Sequence, residues 1–328
     1  MKVPQKWITI GRRGFSTDNM ERLLDRDIAG IRINTGHSSF AWIYDMLEKL
    51  CALGYPMKKV LLDIANSKTR IKSIDRIELK VNPGDSILIK SGEKPNRDNF
   101  SVNNLQFFDV ATKNDIVYFG DGELECIIQK SDPSGITLLV ETEGTISTNM
   151  SVGIKGKEFS RFTVREDEMT DINRLLEKYP VSLILSFVNT AEDVRWAKTN
   201  FPSAAEIIPK IETKQAVNHF HEILEESNTV LIGRGDLALA VGIEKIGIIQ
   251  NYLVDEAHKH YCKVAVGTGT LDSLKNAEIP LRAEIIDITN SCLSGVDYIV
   301  LTSETGGSNT PYKAIDYLDR TLSFIRGL

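Results

Sequence analysis

The chain has 328 residues, 42% hydrophobic and 26% charged, and a formal net charge of −6. That is apolar material for about two packed domains, and the acidic balance excludes a general nucleic-acid or membrane-surface binder, since both need a basic face. The start, MKVPQKWITIGRRGF, has no apolar core for a signal peptide, and Cys51, Cys126, Cys262 and Cys292 form no CxxC pair, so free core thiols in a cytoplasmic, reducing setting are expected.

From Lys6 to Arg70 short apolar runs alternate with amphipathic stretches. WITIG predicts a strand, Thr17–Arg26 a helix capped by Ser16 or Thr17, and GIRIN a second strand. Phe40–Leu53 predicts a helix and KVLLDI a third strand. Continuous apolar strands between helices indicate a parallel sheet covered on both faces. Between about Lys72 and Lys157 the pattern changes to short β-like runs: IELKV, SILIK, DIVYF, LECIIQ and TLLVET. Turn signals such as Asn82-Pro83-Gly84-Asp85 and Asp132-Pro133-Ser134-Gly135 separate them, and no useful helical period appears. Residues 72–157 therefore read as an inserted, barrel-like all-β lid domain.

The α/β alternation then resumes: helix Asp167–Lys178, strand SLILSF, helix Ala191–Thr199, strand EIIPKI, helix Lys214–Glu226 and strand TVLIG. Helix Ile246–His260, strand VAVGT, helix Arg282–Leu293, strand YIVLT and helix Pro311–Ile325 complete it. The longest clearly apolar stretch, Val181 to Val188, is too short to span a bilayer. Three strands before the insert and five after it predict a (β/α)₈ TIM barrel built from 1–71 and 158–328, with the β domain inserted after strand three. An open doubly wound sheet is the alternative, but GRRGF lacks the GxGxxG spacing expected after its first strand.

Barrel chemistry sits at the C-terminal strand ends, where the βα loops converge. Those ends carry Arg32 and Asn34, Asp63, Ser186, Lys210 and Glu212, Arg234 and Asp236, Thr268, and Ser303 with Glu304. Any one of them reads equally well as a solvated rim residue; their coincidence on one rim points to a site.

The segments KWITIG, GIRINTGH, IIPKIET, IGRGDLALAVG, GTGTLDSL, IPLRAEIID and LTSETGGSNTPYKAI resemble the pyruvate kinase family, over about residues 6 to 325. The resemblance implies a metal-dependent phosphotransferase that interconverts phosphoenolpyruvate and pyruvate with a nucleoside di- or triphosphate. Glu212 and Asp236 match its ligands for Mg²⁺ or Mn²⁺, a role two carboxylates can fill because substrate and water complete the shell. Lys210 matches the lysine on the transferring phosphoryl group, and Arg32 the arginine that grips it. Gly235 with the Asp236 amide resembles the helix start that holds pyruvate's carboxylate. Thr268 matches a threonine beside that carboxylate, and Ser303 a serine of the proton-relay region. Arg70, His37 and Asn34 fall on the nucleotide side.

Departures from the family cluster on the nucleotide, potassium and lid side. Of four potassium ligands Asn34 and Asp63 remain, while the serine position is Gly36 and the threonine position Ile64, so a weakened monovalent site and doubtful potassium dependence are expected. The β domain's double aspartate before glycine reads Gly120-Asp121-Gly122. The chain stops at the eighth helix, which implies no regulatory domain, hyperbolic kinetics and a monomer or homodimer. Two competing readings follow from the departures. One is a diverged metal–enolate enzyme: a decarboxylase, a carbon–carbon lyase or a kinase for another acceptor. The other is a non-catalytic barrel that binds a metabolite or a partner protein.

Overall fold

The computed structural model describes residues 3–15, 20–64, 69–72, 78–91, 99–120, 122–148, 150–157, 162 and 164–327. Ser16, Thr17 and Asp121, singled out above, lie outside them. Eight strands close a parallel barrel: β1 (Gln5–Ile10), β2 (Gly30–Asn34), β3 (Val60–Ile64), β4 (Ser182–Leu185), β5 (Ile207–Ile211), β6 (Thr229–Gly233), β7 (Lys263–Gly267) and β8 (Tyr298–Leu301). The predicted (β/α)₈ barrel is therefore the observed fold.

β2 to β8 follow one another around the wall, and β1 closes it against β8 with Gln5 opposite Tyr298 and Ile8 opposite Leu301. At this seam the chain needs glycine: a Cβ on Gly11 would lie 2.1 Å from the Gly306 carbonyl oxygen. The barrel interior is plugged by one buried residue from each of seven strands: Trp7, Leu61, Ile184, Ile208, Leu231, Ala265 and Val300. β2 contributes Gly30, where a Cβ would meet the Trp7 ring at 2.9 Å. The indole occupies the space that a β2 side chain would fill, so the barrel is a packed core and not a pore.

The outer helices follow from amphipathic stretches with ordinary caps. Ser39 accepts a hydrogen bond from the Trp42 N–H at the head of Phe40–Ala52, and Thr190 and Asp193 form a capping box on Ala191–Asn200. Glu166–Lys178, Ile246–Lys259, Arg282–Leu293 and Pro311–Arg326 match their predicted spans within a residue. The short helix Ser303–Gly306, just past β8, is not expected from the sequence, and two further differences appear. The expected helix over 214–226 is two short helices, Lys214–Asn218 and Phe220–Glu225, which meet at His219 with φ −102° and ψ 21°. A helix that the periodic pattern does not show, and that only the likeness at Gly235 and Asp236 implies, Arg234–Val241, starts directly after β6. Its apolar run LALAV has no polar face to betray a helical period.

The chain divides into two compact units, and the second comprises 67–161 with 238–244. It holds a seven-stranded sheet whose core includes Ile89, Phe107, Phe119, Cys126 and Leu138. Four of its strands escape sequence reading: Ile71–Lys72, Asn99–Val102, Gly144–Ser147 and Val152–Ile154. Two to four residues show too few alternations to register as a period. A short helix, Gln106–Val110, is also present. All four cysteines are free; Cys51 is exposed, contrary to the expectation of core thiols throughout. Among the described residues no single helix is long and apolar enough to cross a membrane.

Candidate active site

Strand alternation builds the site. Side chains two residues apart share a face, so the residue two beyond each plug residue also points inward, one layer nearer the C-terminal rim. From Trp7, Gly30, Leu61 and Ile184 that step gives Thr9, Arg32, Asp63 and Ser186. From Ile208, Leu231, Ala265 and Val300 it gives Lys210, Gly233, Gly267 and Thr302. A second step along β5 gives Glu212. A polar layer thus rests on an apolar floor.

Asp63 is its centre, fully buried. Its carboxylate accepts from Arg32 Nε at 2.9 Å and Nη2 at 2.6 Å, from Lys210 Nζ at 2.9 and 3.0 Å, and from Ser186 Oγ at 2.9 Å. Burial pushes this carboxyl up, but the adjacent Lys210 and Arg32, by charge and by hydrogen bond, more than offset it and hold Asp63 well below the usual carboxylate range. Arg32 also donates from Nη1 to Thr9 Oγ1 at 2.9 Å, which fixes the guanidinium plane. Lys210 stands 3.5 Å from Glu212 Oε1. Glu212 Oε2 accepts the N–H of Phe187 at 3.1 Å, and Phe187 adopts φ +58°. A Cβ on Gly233 would lie 2.7 Å from Glu212 Cγ and 2.8 Å from Oε1, so glycine makes room for the Glu212 head.

The other predicted residues belong to other elements of the chain. Asp236 and Gly235 lie in the first turn of Arg234–Val241, just past Gly233. Asn34 Oδ1 accepts from the Gly36 N–H at 2.9 Å and caps the single turn Thr35–His37 that carries His37. Thr268 sits in the loop after β7 at φ +74°, a costly conformation for a β-branched residue, of order 1–3 kcal/mol. Its carbonyl accepts from Arg234 Nε at 2.9 Å, and Arg234 pairs with Asp287 at 2.7 Å, tying the β6 and β7 loops to Arg282–Leu293. Ser303 is exposed; it donates to Asp272 Oδ1 at 2.9 Å and accepts from Lys275 at 3.3 Å. Arg70 belongs to the second unit, where its N–H bonds Asn103 Oδ1 at 2.7 Å. The structure therefore joins Arg32, Asp63, Lys210 and Glu212 directly, and does not bring Ser303 into that group.

Sequence reading missed Thr9, the Phe187 N–H and Thr302, all of which the two-residue step or its immediate neighbour would have found. Thr302, not Ser303, has the inward register, and its hydroxyl donates to Glu304 Oε2 at 3.0 Å. Burial, with Asp272 nearby, pushes the Glu304 carboxyl up to about 7. Glu168 is likewise pushed up by burial to about 7, with the Thr35 hydroxyl 3.4 Å from its Oε1.

The residues present fit a hard divalent cation. Glu212 is a buried carboxylate with room cleared for it by Gly233, Asp236 follows three residues later, and oxygen-only donors suit Mg²⁺ or Mn²⁺.

The sequence matches the family model "Pyruvate kinase, barrel domain" over residues 5–315. It is 28% identical over 314 residues to the pyruvate kinase of Pyrobaculum aerophilum, an alignment covering 93% of this chain and 67% of that protein. It is 29% identical over 323 residues to the pyruvate kinase of Thermotoga maritima, covering 95% and 68%. The chain thus spans about two-thirds of the length of these relatives. The crystal structure of pyruvate kinase from Pyrobaculum aerophilum superimposes with a TM-score of 0.82 at 26% identity, covering 98% of this chain and 73% of that one.

Proposed function

The chain belongs to the pyruvate kinase family, and from that premise we propose that its barrel rim transfers a phosphoryl group between phosphoenolpyruvate and a nucleoside diphosphate in the cytoplasm, with Mg²⁺ or Mn²⁺ held by Glu212 and Asp236. The observation that carries this reading is the buried cluster in which Asp63 positions both Lys210 and Arg32 at the strand ends. Phosphoryl transfer asks the protein chiefly for positioning and charge stabilisation. Arg32, locked by Asp63 and Thr9, presents the guanidinium face it has left to phosphoryl oxygens. Lys210, between Asp63 and Glu212, offsets charge on the migrating group and on the enolate. When bound, the divalent ion supplies Lewis-acid polarisation of the oxygens it contacts.

Gly235 and the Asp236 amide, with Thr268, would hold the substrate carboxylate. Asn34, His37 and Arg70 are assigned to the nucleotide. The proton that quenches the enolate would pass near Thr268 and Ser303. Thr302 joins them through its bond to Glu304, a buried acid poised near neutrality. The metal–enolate alternatives and the non-catalytic barrel are not favoured, because the family match runs over residues 5–315 and Arg32 and Lys210 meet on one buried carboxylate.

The test is pyruvate formation from phosphoenolpyruvate with several nucleoside diphosphates and Mg²⁺ or Mn²⁺. A flat result from folded, metal-binding protein would restore the diverged-enzyme reading. In the same assay potassium should matter little, less than about threefold between none and saturation, or under ~1 kcal/mol of barrel-rim barrier height. Asp63 already carries two cations and Asn34 Oδ1 is committed to the Gly36 N–H, so little is left for a third. Tenfold activation by KCl at constant ionic strength would contradict this.

Metal binding can be checked separately by Mn²⁺ paramagnetic relaxation. Asp236→Asn removes a proposed ligand charge, and Gly233→Ala drives a methyl into Glu212. Each should weaken Mn²⁺ at least about tenfold. Unchanged titrations would remove both carboxylates from the metal site.

A further inference from the structure

Four of the chain's five histidines lie within residues 219–260, on or at the ends of helices outside the barrel wall. Two of them are committed to carboxylates: His219 Nδ1 is 3.3 Å from Glu222, and His258 Nε2 is 3.1 Å from Asp297. The other two, His221 and His260, converge on Glu256. One ring nitrogen of each and one carboxylate oxygen of Glu256 all lie within 4.8 Å of one another. We propose that His221, Glu256 and His260 form a second metal site, for a zinc-type transition ion, that staples the helix Phe220–Glu225 to the helix Ile246–Lys259.

Three features of the geometry support it. A tetrahedral ion with bonds of about 2.0–2.1 Å separates its ligand atoms by roughly 3.3–3.4 Å; His221 Nε2 lies 3.4 Å from Glu256 Oε2. Glu256 and His260 are four residues apart at the end of one helix, the spacing that puts two side chains on one face. The surrounding contacts orient the ligands. His260 Nδ1 lies 2.9 Å from the Glu256 carbonyl oxygen, which can only accept, so Nδ1 carries the proton and Nε2 keeps its lone pair. Lys259 holds Glu256 Oε1 at 2.6 Å and leaves Oε2 directed at His221. The two imidazoles stand edge to face with centroids 5.1 Å apart.

Two nitrogens and one carboxylate make a borderline-soft donor set, which selects Zn²⁺ over Mg²⁺ and leaves the fourth position to water. The site differs in chemistry from the oxygen-only pair Glu212 and Asp236. Because the ligands come from two helices, binding adds a cross-link present only in the folded chain and should raise the melting temperature.

The experiment is a Zn²⁺ titration of the full chain at saturating Mg²⁺, with Cys51→Ser in every sample to remove the exposed thiol. The readouts are calorimetry, melting temperature and the histidine ring resonances. His221→Ala and His260→Ala should each weaken Zn²⁺ at least about tenfold and abolish the zinc-dependent rise in melting temperature. His219→Ala should change neither. His221 and His260 are exposed and His219 is half-buried, so the metal-free variants should melt close to the parent. The proposal is overturned if Zn²⁺ affinity is the same in the His221 and His260 variants, if His219→Ala weakens it equally, or if zinc leaves the His221 and His260 resonances unmoved.

Discussion

Replacing Lys210 by Met is expected to lower kcat by roughly 10²–10³ or more without weakening metal binding. Lys210 is 8% exposed and its ammonium is held by both Asp63 oxygens, so in the proposed reaction it would meet the developing charge with almost no reorganisation. A charge fixed in that way stabilises the transition state more than the ground state, and its loss should appear in kcat before KM. Met keeps the length of the stem and its packing on the barrel floor. Glu212 loses a cation 3.5 Å away, which leaves its affinity for a divalent ion intact or improved. Steady-state kinetics beside a Mn²⁺ titration reads both quantities. Wild-type turnover in the variant would remove the lysine from the chemistry.

Asp63→Asn should destabilise the fold by about 3–5 kcal/mol at neutral pH. The amide keeps the shape but deprives Arg32 and Lys210, 7% and 8% exposed, of the anion they share, and leaves Glu212, 3.5 Å from the lysine, as the carboxylate beside Lys210. Urea denaturation measures the difference. Its pH dependence has a definite sign. Because the folded-state carboxyl titrates well below its unfolded value, the charged form's contribution is complete above the unfolded value, about 4, and declines as pH falls below it toward the folded one. The gap between parent and variant should therefore narrow on acidification. A variant as stable as the parent at pH 7 would show that the two cations find another partner.

The barrel was legible because its strands are continuous apolar runs such as VLLDI and TVLIG, and its helices keep a hydrophobic period. The second unit was legible as β but not strand by strand, since a pair as brief as Ile71–Lys72 has no pattern of its own. At the site, Lys210, Glu212 and Arg32 announce themselves as charges at the ends of apolar strands. The central place of Asp63 does not, because its partners arrive from β2, the end of β4 and β5, and only the register of the wall brings them together. Ser303 shows the same limit from the other side. It neighbours the inward position, yet it opens the short helix Ser303–Gly306 beyond the strand, and the hydroxyl that reaches the buried Glu304 is that of Thr302.

The seam between β1 and β8 imposes an order on assembly. Neighbours such as β2 and β3 pair across short separations, whereas Gln5 meets Tyr298 only when almost the whole chain is present. Contacts of such long range form slowly, since loop closure must precede any gain from pairing. At about 5–20 residues per second of synthesis, one edge of WITI stands unpaired for roughly 15–60 s after it emerges. An apolar strand with an open edge is a template for another chain. During biogenesis, then, the hazard for this protein lies at its first strand and ends when its last strand arrives.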